Sequence, residues 1–385
     1  MRFRQFGPGN QHSRLFNSSR RRFLQFSAAA VSTVALANCQ RQQATPSAET
    51  NSGAAPKAAG SDEPLHIYTW ADYSNEEVYQ RFTEKTGIKV VADVYDSNEV
   101  MLAKLQAGGG KQYSILYPSD YAVQEMLESN LIIELDQSKL KGLDNLRDRW
   151  QDPSYDPGNK HSVPVSWGTT GLIYNTDVIK PGPEDWNYLW DNQKELSGKI
   201  TLLEDVREMM GAVLKSLGHS YNSTDPKEIE AAYNKLRELK PAVVAFQSFG
   251  WEDQLIAGDL VMSMSYSTLG NALPKEHPNL QYMIPKSGSS VWTDTMVIPQ
   301  GAPNLEAAYA WINFMLNPED AAFAVDKLTF ATPNKSAFDL LPNEIKESKT
   351  LFPPDDMLAK CEGISPLDTA ALDLYDKYWT QLTSL

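Results

Sequence analysis

LHIYTWADYSNEEVYQRFTEKTGIKVVADVY, residues 65–95, reads as strand, helix, strand. Leu65–Thr69 has the apolar and aromatic content of a buried strand. From Asn75 to Thr86 the period lengthens, with Val78, Tyr79 and Phe82 on one helical face and Gly87 as a stop. Ile88–Tyr95 is rich in β-branched residues and returns to strand. Two strands joined by a helix can lie side by side only in parallel, which puts the chain in the α/β class.

The same rhythm continues downstream. Ser97-Asn98-Glu99 reads as a cap for the helix Val100–Ala107, which Gly108-Gly109-Gly110 ends. Ser114–Tyr117 is a short strand broken by Pro118, with a helix after Tyr121. Farther on, Lys199–Leu203, Leu260–Ser265 and Gln281–Ile284 read as strands. Helices are expected over Arg207–Leu217, from Asp225-Pro226 to Leu239, and over Asn304–Leu316, Pro318–Leu328 and Asp368–Leu382. Two passages, His161–Asn175 and Val291–Ile298, are extended, with small or polar residues at their middles. The chain has 385 residues, too many for one ordinary core. Two α/β lobes joined by these crossings, with a hinge there, is the architecture the pattern favours.

The first 39 residues differ in kind. They hold six Arg and no Lys, Asp or Glu. Ser19-Arg20-Arg21-Arg22-Phe23-Leu24-Gln25 resembles a twin-arginine export motif, followed by a mildly apolar run from Phe26 to Ala37 that is too short to span a membrane. Two processing readings stay open. Ala35-Leu36-Ala37 fits a signal-peptidase site, and Leu36-Ala37-Asn38-Cys39 resembles a lipobox that would lipidate Cys39. Residues 40–63 are rich in Ala, Ser, Pro, Gly and Gln and read as a disordered linker spanning roughly 25–30 Å. The sequence thus predicts a periplasmic protein, free or tethered through Cys39. Cys361 is the one other cysteine, so no internal disulfide is expected.

The formal charge is −14, and loss of the first 39 residues makes it −20. That surface disfavours nucleic acid as a partner and suits a cation. Motifs for chemistry are missing. There is no dinucleotide fingerprint, and Gly108-Gly109-Gly110-Lys111 lacks the spacing of a P-loop. No His-Glu-x-x-His, zinc-spaced Cys pair or Gly-x-Ser-x-Gly elbow appears. No catalytic residue, metal site or cofactor is therefore assigned.

Strand ends, by contrast, repeatedly carry aromatics with acids. They give Trp70, Asp72 and Tyr73, then Ser119, Asp120 and Tyr121, then Asp205 with Glu208 at a helix start. In the second crossing Trp292 and Asp294 stand two apart and face the same way. Ligands of open parallel sheets bind beyond the carboxyl ends of the strands. A cleft of aromatic faces and carboxylates suits an alkyl chain bearing ammonium groups. Ring faces cover the methylenes and attract the ammoniums, and carboxylates bind the ends.

At these residues the chain resembles the spermidine/putrescine-binding proteins of bacterial ABC importers. The resemblance runs through Tyr68-Thr69-Trp70-Ala71-Asp72-Tyr73, Thr86-Gly87-Ile88-Lys89-Val90, Tyr95-Asp96-Ser97-Asn98-Glu99, Pro118-Ser119-Asp120-Tyr121 and the run from Asp225 to Asn234. It implies a two-lobed periplasmic-binding-protein fold of type II, with parallel-type sheets, helices on both faces and no catalysis. The first lobe would be residues 64–170 and 292–338, the second residues 171–291 and 339–385. Trp70 and Trp292 would sandwich the polyamine. Asp72, Asp205, Glu208 and Asp294 would bind its ammoniums, and Tyr73, Ser119 and Tyr121 would line the cleft. Tyr266 stands where the family often has Trp, and either Glu362 or Ser365 would supply a polar contact near the C-terminal helix. The implied partners are a polyamine and a membrane permease, the protein itself being a monomer. The alternatives are another solute on the same fold, such as a different amine or ferric ion, and a secreted hydrolase whose site is assembled from distant residues.

Overall fold

A computed structural model describes residues 63–384. The export signal, Cys39 and the linker up to residue 62 lie outside them. The described residues form β1 (Leu65–Trp70), β2 (Val90–Tyr95), β3 (Ile115–Leu116), β4 (Ser162–Asn175), β5 (Ile200–Leu202), β6 (Val243–Phe246), β7 (Met262–Tyr266), β8 (Leu280–Met283) and β9 (Val291–Val297). Their order is β2-β1-β3-β9-β4-β7-β5-β6, with β8 also paired to β4.

Parallel pairs stand at the two ends of this order. β1 runs parallel to β2 and β3, and β5 runs parallel to β6 and β7. The middle is antiparallel. β4 pairs with β9 over Ser162–Thr169, then with β7 over Thr170–Tyr174. One strand thus serves both halves of the molecule, and all 14 of its residues are buried.

Each half has its own core. The first gathers Leu65, Ile67 and Ile115 against Phe82, Trp311 and Phe314 of the helices Glu76–Thr86 and Leu305–Leu316. The second packs Ile200, Leu202 and Met262 against Leu214, Leu236 and Tyr375, from the helices Val206–Ser216, Pro226–Leu239 and Thr369–Thr383. A smaller cluster surrounds Trp251 and Tyr282. Each fully buried large apolar side chain contributes about 1.5–3 kcal/mol before entropy is counted.

Local chemistry sets the helix ends near the cleft. Asn75 accepts from the N–H groups of Glu77 and Val78, and Gly87 closes the same helix at φ +80°. Two elements differ from the sequence reading. Val243–Phe246 is a strand, although Pro241 and a length of four residues hide it. Ser267–Glu276 is a helix despite Gly270 and Pro274. Gly270 is needed there, because a Cβ would lie 2.3 Å from the Tyr282 ring.

Candidate ligand-binding cleft

The carboxyl ends of the strands converge. β1 runs into the short turn Ala71–Tyr73, which presents Asp72 and Tyr73 beside Trp70. β3 is followed by Ser119 and by Tyr121 on the helix Asp120–Glu128. In the second half, β5 leads to Asp205 and Glu208, β6 to Phe249, and β7 to Tyr266 and Thr268. β9 contributes Trp292 and Asp294 from one face, as strand alternation requires. All of these side chains line a single cleft of about 410 Å³, which Asn98 and Ile364 complete. The ten residues assigned to the cleft from the sequence are therefore neighbours, whereas Asp120, read with them at a strand end, lies outside the lining.

Asp294 sits deepest in the hydrogen-bond network. Tyr73 Oη donates to its Oδ2 at 2.7 Å and Ser119 Oγ to its Oδ1 at 2.8 Å. Ser166, opposite Asp294 across the β4–β9 ladder, meets the same Tyr73 hydroxyl at 2.7 Å. The indole N–H of Trp70 lies near enough to favour the charged form of Asp294 without reaching hydrogen-bond geometry. Burial nevertheless dominates, and with Asp72 nearby the Asp294 carboxyl is pushed up to about 7. Burial likewise raises Asp72 to about 6.

Across the cleft, Asp205 caps the helix Val206–Ser216. Its Oδ1 accepts from the N–H of Arg207 at 2.9 Å and of Glu208 at 3.0 Å. Among the described residues its Oδ2 meets only the Tyr266 hydroxyl, which donates at 3.4 Å. Glu208, in the first turn, accepts from Tyr221 Oη at 2.7 Å and from Ser290 Oγ at 2.8 Å. Burial raises both acids, and their mutual repulsion raises Asp205 further. Arg207 moderates this, but its guanidinium turns away to Asn222 and the Ser365 carbonyl. Among the described residues, the cleft lining contains no Lys or Arg.

Aromatic rings form the walls. Tyr266 stands edge-on to Trp292, with centroids 6.1 Å apart, and Phe249 lies 6.1 Å from Tyr266. Trp292 can occupy its place because Gly168 faces it on β4. A Cβ there would fall 2.3 Å from the indole. The indole N–H groups of Trp70 and Trp292 are buried without partners among the described residues.

Sequence reading missed Asn98, Phe249, Thr268 and Ile364. Asn98 was visible as part of a cap. In place of that role it links Tyr121, through Nδ2 at 2.8 Å, to the Ser119 N–H, through Oδ1 at 3.2 Å. Phe249 follows the unrecognised β6. Neither Glu362 nor Ser365 lines the cleft. Glu362 bonds Lys215 at 2.6 Å and Ser220 at 2.5 Å, Ser365 bonds Asn222 at 2.8 Å, and Ile364 between them faces inward.

Residues 77–353 match the family described as bacterial extracellular solute-binding protein. The chain is 34% identical to the spermidine/putrescine-binding periplasmic protein of Escherichia coli (strain K12) over 84% of its own length and 92% of that protein. It is 32% identical to the putrescine/cadaverine-binding protein of Pseudomonas aeruginosa over 86% of its length and 96% of the relative. Among solved structures, it is similar to the spermidine/putrescine ABC transporter substrate-binding protein PotD from Streptococcus pneumoniae. The TM-score is 0.72 and the identity 36%, covering 84% of this chain and 99% of that one. The Tp0655 lipoprotein of Treponema pallidum superposes with a TM-score of 0.71 at 28% identity, covering 83% and 99%. With its two cores sharing β4 and a cleft at converging strand ends, the chain belongs to the bacterial extracellular solute-binding proteins, which have the two-lobed fold and are not enzymes.

Proposed function

We propose that this protein captures a linear polyamine, spermidine or putrescine, and delivers it to the membrane permease of an ABC importer. One observation carries the reading. Two acidic pairs, half-buried Asp72 with buried Asp294, and Asp205 with Glu208, both buried, face a slot walled by Trp70, Tyr266, Phe249 and Trp292 and lined, among the described residues, by no cation. Burying a carboxylate without a counter-charge is costly. A chain with an ammonium at each end would supply both missing charges and lay its methylenes against the rings. Trp70 and Trp292 would bracket that chain, with Tyr73, Ser119 and Tyr121 holding the acids and the wall in place. The names of the relatives agree with this ligand.

Residues 64–170 and 292–338 would move as one lobe and residues 171–291 and 339–385 as the other, bending at β4 and β9. The protein would work as a monomer outside the cytoplasm, exported by the twin-arginine-type signal, with Cys39 as a lipid anchor if the lipobox is used.

Calorimetric titration of the chain lacking residues 1–39 with putrescine, cadaverine, spermidine and spermine tests this. A single site with Kd near micromolar, about −8 kcal/mol, is expected for at least one amine. At 100 times Kd that amine should add about 2.7 kcal/mol of stability. Binding of none of the four, or equal binding of an uncharged diol of the same length, would overturn the reading.

A further inference from the structure

A further carboxylate meets the cleft from the first half of the chain. Glu99 stands in the first turn of the helix Asn98–Gln106, next to Asn98, which lines the cleft. Its Oε1 accepts from the hydroxyl of Tyr121, another lining residue, at 3.4 Å. A helix start favours an acid in any case, and that alone would leave Glu99 on a solvated face. Its surroundings say more. Protein atoms crowd the carboxyl, although the side chain is exposed on its outer face, and the charge of Asp205 acts in the same direction. Together they push Glu99 up to about 6. Asp205 belongs to the other half, at the start of the helix Val206–Ser216. Tyr121 and Tyr266, one from each half, feel the charges of both acids.

The two acids are served alike. Asp205 Oδ2 accepts from the Tyr266 hydroxyl at 3.4 Å, and Glu99 Oε1 from the Tyr121 hydroxyl at the same distance. Both contacts are long for a hydrogen bond to a carboxylate, so both oxygens keep acceptor capacity. Arg207 acts on Asp205 from behind, with its guanidinium bonded to Asn222 and the Ser365 carbonyl. Among the described residues no Lys, Arg or His forms an ion pair with Glu99. Like charges that meet across a cleft repel until a cation lies between them. A metal ion fits poorly. Among the described residues no group of three or more His, Cys, Asp or Glu side chains is placed to hold one. An ammonium needs fewer oxygens, and it arrives on a chain that the aromatic walls hold.

We propose that Glu99 is a further ligand-binding residue, which with Asp205 grips one terminal ammonium of the polyamine from opposite halves of the molecule. This role rests on the polyamine reading above and deepens it, adding a rim carboxylate to Asp72, Asp205, Glu208 and Asp294 in the lining. One positive charge shared by the two halves draws them together. In the empty cleft the same two acids push them apart.

The test is calorimetry of the chain lacking residues 1–39, with putrescine and spermidine. The proteins are the natural chain, Glu99→Gln, Asp205→Asn, the double variant and Glu125→Gln. Glu125 is exposed and feels the charge of Glu99, so Glu125→Gln removes one negative charge from the same rim. Glu99→Gln should lower the affinity of the tighter-binding amine about fivefold or more, and Glu125→Gln less than about twofold. Two acids on one ammonium depend on each other. The loss in the double variant should therefore differ from the product of the single losses by about threefold or more. The Glu99→Gln and Glu125→Gln pair carries the test should an Asp205 variant fail to fold or to bind. Unchanged affinity in Glu99→Gln, an equal loss in Glu125→Gln, or single losses that simply multiply would each overturn the shared grip. Absence of putrescine and spermidine binding in the natural protein would overturn the polyamine reading itself.

Discussion

Gly168 shows how one missing side chain shapes the cleft. Its Cα faces the Trp292 indole so closely that a methyl group would overlap the ring and Ser267 Oγ, each at 2.3 Å. Gly168→Ala should push Trp292 out of the wall. Polyamine affinity is expected to drop at least tenfold by calorimetry, with a stability loss of about 1–3 kcal/mol in urea. Asp294 makes the complementary case. Its carboxyl stays protonated up to about 7 because of burial. Asp294→Asn keeps the shape, leaves acceptors and donors for Tyr73 and Ser119, and removes the charge. At pH 8 the unliganded variant should be more stable than the natural protein by about 1–3 kcal/mol, while the ligand-induced rise in Tm disappears. A variant that still shows the full rise would remove Asp294 from the binding role.

Among the elements, the helix Val206–Ser216 carries two duties on one residue. Asp205 caps its first turn through Oδ1 and turns Oδ2 to the cleft. The cap and the ligand contact are separable. Asp205→Ala should lose both, costing about 1 kcal/mol of stability in addition to affinity. Asp205→Ser restores a capping oxygen but no charge, so stability should recover while binding stays weak. Urea melts paired with titration check this, and recovery of affinity in the Ser variant would show that the cap alone mattered. Legibility also varied by element. The helix Glu76–Thr86 was evident from its apolar face, Asn75 and Gly87. β6 was not, because four residues after a proline carry too little periodic signal, and with it Phe249 was overlooked. Ser267–Glu276 was overlooked because Gly270 and Pro274 oppose a helix locally, whereas contact with Tyr282 favours it.

For the whole molecule, the buried acids predict a pH dependence. Asp72, Asp294 and Asp120 hold protons up to about 6, 7 and 8 in the folded chain, against about 4 for unfolded carboxyls. Between those limits the folded state binds more protons, so its stability falls as pH rises from about 4 to about 8. Without ligand, Tm should therefore decline between pH 5 and pH 8. A bound polyamine pairs the carboxylates, so saturating ligand should flatten the decline. Binding near pH 6.5 should also release protons, read as a heat that scales with buffer ionisation enthalpy. A Tm that rises from pH 5 to pH 8 without ligand would contradict this account.

The sequence by itself determined the α/β class, most of the elements and the ten residues from Trp70 to Asp294 that meet at the cleft. Those properties are written in short-range patterns, namely apolar period, caps, and acids with aromatics at the ends of strands, except for Tyr266, which the family resemblance alone pointed to. It could not determine that Ile364, rather than Glu362 or Ser365, faces inward, nor that Arg207 turns its charge away from the acids beside it. Those outcomes rest on which distant partner each side chain meets, Lys215 for Glu362 and the Ser365 carbonyl for Arg207, and only the packed chain brings such partners within a few ångströms.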